Sequence, residues 1–156
     1  SADPSGRLWL AYVQGDRIRT VHTNKAATSL GAVGTWGAPR GKTDLWKTAS
    51  SATDGVLDVV TTASGADEKV NVWHTQALRT LGIKASPATA RRGQGVTFTV
   101  SDAGDPVSGV QVRFGGRSAT TNGAGKATIS ASSGGRVTVT AKKAGYNAGQ
   151  TSVRVR

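Results

Sequence analysis

From residue 95 onward, apolar and polar positions alternate with a period of two. Residues 95–101 put Val96, Phe98 and Val100 on one face and Thr97 and Thr99 on the other. Residues 110–114 send Val110, Val112 and Phe114 one way and Gln111 and Arg113 the other. Ala127 and Ile129, then Val137, Val139 and Ala141, then Val153 and Val155 continue the pattern. Arg136, Arg154 and Arg156 take the polar phase of the last two stretches. Successive strand side chains point to opposite faces, so each stretch predicts a half-buried strand. The breaks between them carry turn chemistry: Gly104-Asp105-Pro106, Gly115-Gly116, Asn122-Gly123-Ala124-Gly125 and Ser133-Gly134-Gly135. Alternating strands with turns every 8–12 residues predict a sandwich of two sheets.

The first half follows another rhythm. Residues 17–24 read Arg-Ile-Arg-Thr-Val-His-Thr-Asn, and residues 69–76, 52 positions later, read Lys-Val-Asn-Val-Trp-His-Thr-Gln. Each follows a strand-like run, at 7–13 and 56–62, across a short polar connector. Strand, tight turn, strand, repeated at about 50 residues, is the period of a propeller blade. Helical periodicity is nearly absent, so the expected class is all-β.

Composition sharpens the division. The 156 residues are too few for a complete propeller. Residues 1–82 hold nine Lys/Arg and seven Asp/Glu, a net +2; residues 83–156 hold eleven and two, a net +9. All four Trp (Trp9, Trp36, Trp46, Trp73) lie in the first part. Two unlike modules are therefore expected, 1–82 and 83–156, joined around Leu81–Pro87. The chain has no Cys, which removes disulfides, thiol nucleophiles and thiolate metal sites. It has no Met either, which reads as a processed product or a fragment. No apolar run reaches the roughly 20 residues that span a bilayer.

These residues resemble two families. Ser29-Leu30-Gly31-Ala32-Val33-Gly34-Thr35-Trp36 resembles the Asp-box of bacterial sialidase-like (BNR) propellers, a hairpin turn after the third strand of a blade. Ser29, Thr35 and Trp36 match it, while Gly31 and Val33 replace its Asp and Gly. Asp3-Pro4-Ser5-Gly6-Arg7-Leu8-Trp9 resembles a blade opening. In the second half, residues 102–112, 121–127 and 141–146 resemble bacterial Ig-like (carboxypeptidase-regulatory-like) modules. The resemblance implies about two blades, the last of a larger propeller, then an Ig-like sandwich. It implies a secreted bacterial protein, and the richness in Ala, Gly, Thr and Arg suits an actinomycete. Two blades do not close a ring, so upstream chain or a companion chain would complete it.

Candidate chemistry is sparse. Glycoside hydrolysis needs paired carboxylates or an activated Tyr. Glu68 is the only Glu, and Asp58, Tyr12 and Arg7 form no such pair in sequence. His22 and His74 are too few for zinc. The lysine–asparagine crosslink of some Ig-like modules needs a buried acid, and Asp102 and Asp105 both read as turn residues. No catalytic residue, metal ligand or cofactor is expected. Trp faces stack on sugar rings, which makes Trp46, Trp9 and Trp73 candidate glycan contacts. In an Ig-like sandwich the third, sixth and seventh strands share a sheet. That places Arg113, Arg136, Arg154 and Arg156 on one outward face, an anion-binding candidate with Arg117, Lys142 and Lys143 in nearby loops. Aromatics for base stacking are missing there, which argues against sequence-specific nucleic-acid reading.

The expected function is a non-catalytic, secreted binding module. A lectin-like propeller region with an Ig-like accessory domain would recognise an extracellular glycan or protein, with an anionic polymer as a further partner. Two alternatives stand: the C-terminal part of a larger secreted hydrolase, a glycosidase or protease, and a structural part of a larger assembly.

Overall fold

A computed structural model describes residues 1–15, 17–37, 44–53, 55–64 and 70–156. Of residues 44–49 and Ala63 it describes the backbone alone. The chain is all-β and divides into two compact units, Ser1–Arg79 and Thr80–Arg156.

The first unit holds β1 (Trp9–Gln14), β2 (Arg17–His22), β3 (Gly34–Gly37), β4 (Asp44–Thr53), β5 (Val56–Ser64) and most of β6 (Asn71–Thr80). β1, β2 and β3 form one antiparallel meander, with Trp9 opposite His22 and Ile18 opposite Trp36. β4, β5 and β6 form another, with Ser51 and Gln76 flanking Asp58. Trp9 and Ile18 from one sheet and Leu57, Val59 and Ala77 from the other make a single small core. The repeat seen in sequence falls on two hairpins, β1–β2 and β5–β6, but in different places. Arg17–His22 is the middle strand of the β1–β2–β3 meander, whereas β6 is the last strand of the β4–β5–β6 meander. His22 is buried and His74 exposed. The Asp-box-like stretch leads out of the β2–β3 connection into β3.

The opening turn is held by one carboxylate. Asp3 Oδ1 accepts from the Ser5 N–H at 2.9 Å, the Ser5 hydroxyl at 2.6 Å and the Arg7 N–H at 3.1 Å. Asp3 Oδ2 accepts from the buried Trp9 indole at 3.0 Å. Burial raises the Asp3 carboxyl, but these hydrogen bonds outweigh it and hold it below its ordinary 3.8. Asp3→Ala strands the indole N–H in the core and is expected to cost about 2–3 kcal/mol. A folded-state value below the unfolded one stabilises at pH above the unfolded value. That contribution is lost as pH falls from about 4 through the folded value. Denaturant midpoints measured between pH 7 and pH 2 should fall for the native chain, and by less for Asp3→Ala.

The second unit packs two sheets face to face. One holds β7 (Gly82–Ser86), β9 (Gly95–Asp102), β10 (Asp105–Pro106) and β13 (Lys126–Ser130). The other holds β8 (Thr89–Ala90), β11 (Gln111–Phe114), β12 (Arg117–Thr120), β14 (Gly135–Lys142) and β16 (Gly149–Val155), in the order β12-β11-β14-β16-β8. β15 (Tyr146–Asn147) precedes the last strand. Val96, Phe98, Val100, Val110, Val112, Phe114, Val139 and Val153 are all buried between the sheets. Phe98 and Phe114 meet edge to face, with centroids 5.3 Å apart. The stretch expected as a joint is part of this unit instead. Gly82–Ser86 pairs with β9, and Leu81 is buried in the core. Charge and aromatic content change there, but Ile83 and Ala85 alternate inward and supply an edge strand. Asp102, expected in a turn, ends β9 fully buried.

Candidate anion-binding site

The outward face of the five-stranded sheet is built by parity. Val112, Val139 and Val153 point into the core, so Arg113, Arg136 and Arg154 must point out, and all three are exposed. Register then decides which of them meet. β14 pairs with β16 so that Arg136 lies directly opposite Arg154 and Thr138 opposite Ser152. The Arg136 Nε–H donates to Ser152 Oγ at 3.1 Å. Arg136, Ser152 and Arg154 line a groove of about 360 Å³ with Ala88 and Gly135.

More positive charge gathers at this end. Arg92 is exposed, and its guanidinium lies against Gly134, 3.0 Å from where a Cβ would sit. The Arg92 N–H donates to the Arg156 carbonyl at 3.1 Å, and the Arg156 N–H to the Ala90 carbonyl at 2.9 Å. Arg156 therefore follows β16 with its main chain tied beside β8. Arg113 stands apart. It faces Thr140 on β14, four residues from Arg136, which is about 13 Å along the strand. Arg117, expected in a loop, opens β12 opposite Phe114 at the sheet's edge, and Lys142 ends β14 opposite Gln111. Lys143 is turned to another partner, its Nζ donating to the Ser108 carbonyl at 2.7 Å. Between residues 80 and 156 the only acids are Asp102 and Asp105, and both belong to the opposite sheet. The five-stranded sheet thus carries arginine and hydroxyl groups and no carboxylate.

Like charges set directly opposite one another destabilise a sheet. The Arg136–Arg154 pair has no acid on its own sheet to offset that repulsion. An anion placed between the two guanidiniums removes it and gains charge-assisted hydrogen bonds. Sequence parity located the arginines; Ser152, Arg92 and the groove were missed, because nothing in the linear pattern reports strand register.

The tryptophan candidates fare differently. Trp9 is 4% exposed, its N–H is committed to Asp3, and its ring lies 4.5 Å from the His22 ring. It is a core residue, and that burial withdraws it as a stacking platform for sugars. Trp73 is half-buried against the same core. Trp46 lies on β4 beside a register irregularity, and its side chain is outside the described residues. Glu68 is also outside them.

Asp58 lies on the outer face of β5. Its Oδ1 accepts from Gln76 Nε2 at 2.9 Å and pairs with His74 Nε2 at 3.0 Å. The Gln76 hydrogen bond, then the His74 one, lower its carboxyl from the ordinary value. Tyr12 is exposed on the outer face of β1, while Arg7 is buried, donating from Nη1 to Ser5 Oγ. Among the described residues no group of three or more His, Asp or Glu is placed to hold a metal ion. No helix among them is long and apolar enough to cross a membrane.

The fold and site together define an all-β chain of two units with a basic sheet face. No protein-family model matches the sequence. No curated protein matches it either. Among solved structures, a crystal structure of murine CEACAM1b aligns over 99% of this chain and 94% of its own, at 11% identity and a TM-score of 0.31. A likeness at that score carries no argument here.

Proposed function

We propose that the chain is a non-catalytic extracellular binding module whose second unit, an Ig-like sandwich, takes an anionic polymer of the acidic-glycan class on its five-stranded sheet. One observation carries the reading: that sheet presents Arg113, Arg136 and Arg154 outward, with no carboxylate among its strands. The Ig-like assignment is supported by the sharing of one sheet by β11, β14 and β16 and by alternating inward residues from both sheets. The first unit, with its two three-strand meanders, is read as blade-like sheets of a sialidase-like propeller completed by other chain.

The test is a titration of the native chain with an acidic polysaccharide and with neutral dextran. The acidic polymer should bind, and log K should fall linearly with log salt as condensed counterions are released. Replacing both Arg136 and Arg154 by Ala should weaken binding at least tenfold and flatten the salt slope. Lys25→Ala, in the first unit, should change neither. No binding at low salt, or a double variant that binds like the native chain, overturns the reading.

A further inference from the structure

The reading of the basic face leaves open which anion its paired arginines are shaped for. We infer that Arg136, Arg154 and Ser152 form a subsite for a tetrahedral monoester oxyanion, a sulfate ester or phosphate monoester carried on the polymer, in preference to a carboxylate. This rests on the polyanion reading above and deepens it.

The geometry argues from donor number and placement. A single guanidinium matches a planar carboxylate, whose two oxygens take two parallel N–H bonds. Here two arginines are register partners on one exposed face, their backbones one strand spacing, about 5 Å, apart. A carboxylate engaged by one fork leaves the other charge with little to bind. A monoester presents three terminal oxygens in a tripod and can bridge both forks.

Ser152 supplies a third donor. Its Oγ accepts the Arg136 Nε–H, which leaves the hydroxyl proton to donate. The same bond orients Arg136 through its Nε and does not use its two Nη groups. Two forks and one hydroxyl at the groove therefore match three oxygens. A phosphodiester, with two terminal oxygens, fits the set no better than a carboxylate does. The groove of about 360 Å³ has room for the ester group and part of the sugar that carries it. The Arg92 guanidinium, held against Gly134, adds positive potential at the groove's Gly135 end.

The experiment compares three polymers matched in length and charge per sugar: sulfated dextran, dextran phosphorylated as monoesters, and polygalacturonate. Each is titrated into the full chain at one ionic strength. At least one of the two monoester polymers should bind about tenfold or more tightly than polygalacturonate, and which one does identifies the source of the oxyanion. Arg154→Lys keeps the charge but removes one fork. It should reduce the preference to about twofold or less, mainly by weakening the monoester polymer. Ser152→Ala should reduce it in part. Amide spectra of the variants check that the sheet is intact, and the Arg136 Nε–H resonance gives a second readout. That resonance should shift with inorganic phosphate more than with equimolar acetate. Equal binding of all three polymers, or a preference that survives in Arg154→Lys, overturns the subsite while the polyanion reading stands. Failure of all three polymers to bind overturns the polyanion reading itself.

Discussion

Phe98→Ala is expected to destabilise the second unit by about 3–5 kcal/mol, the usual cost of removing a buried aromatic ring. The reason is position. Phe98 sits on β9 and is fully buried, and its ring meets Phe114 of the facing sheet edge to face at 5.3 Å. Val96 and Val100 flank it on the same strand, and neither has solvent contact. A cavity there is lined by β-branched side chains that have few rotamers with which to close it. The pair also contributes ring–ring attraction beyond buried area, about 0.5–1.5 kcal/mol. Native-state hydrogen exchange is the direct measurement. Amides of β9, β11 and β14 should exchange roughly 10²–10⁴ times faster, since each 1.4 kcal/mol is about tenfold. A conservative Phe98→Leu variant should recover more than half of the loss. Unchanged exchange in those strands would mean the two sheets are not held through this contact.

The second large effect is expected at a turn. Gly125 closes the Asn122–Gly125 loop with φ at +70°, in the left-handed region. Its N–H donates to the Asn122 carbonyl at 2.9 Å, and its own carbonyl accepts from the Val100 N–H at 2.8 Å. A Cβ added there would stand 2.5 Å from the Val100 carbonyl oxygen, 3.1 Å from the Val107 N and 3.2 Å from the Pro106 Cα. All three are backbone atoms of well-paired segments and cannot swing away as a side-chain tip would. Gly125→Ala therefore meets a conformational penalty of about 1–3 kcal/mol and a clash on top of it. We expect a loss of roughly 3 kcal/mol or more, read as a lower denaturant midpoint. Gly123 is the internal control: a Cβ there meets nothing within 4 Å. Gly123→Ala should stay within about 0.5 kcal/mol of the native chain. Equal effects at the two glycines would sink the argument.

These effects fall where the linear pattern was strongest. Val96, Phe98, Val100, Val112, Phe114, Val139 and Val153 were assigned inward by alternation alone, and all are buried. The Asn122–Gly125 turn was visible in its residues. Parity is a local property of the chain, because successive strand residues face opposite ways whatever the strand pairs with. The all-β class, the inward and outward sets of the second unit and the concentration of positive charge there were thus determined by the sequence itself.

Pairing is not local. Whether Arg136 meets Arg154, Ser152 or nothing on β16 depends on a register set by turns and by the facing core. Only the tertiary structure put Arg136 and Arg154 in register across two strands, turned the Arg136 Nε to Ser152 and brought Ala88 and Gly135 to the same groove. It likewise drew Trp9 into the first core, where composition alone suggested an open ring face, because Asp3 lay six residues away to accept the indole N–H. It also made a strand of Gly82–Ser86, since β9 offered a free edge to a segment whose own propensity is weak. Residue chemistry and alternation are written along the chain. Partners across strands come from packing, which chooses one register among several that the same alternation allows.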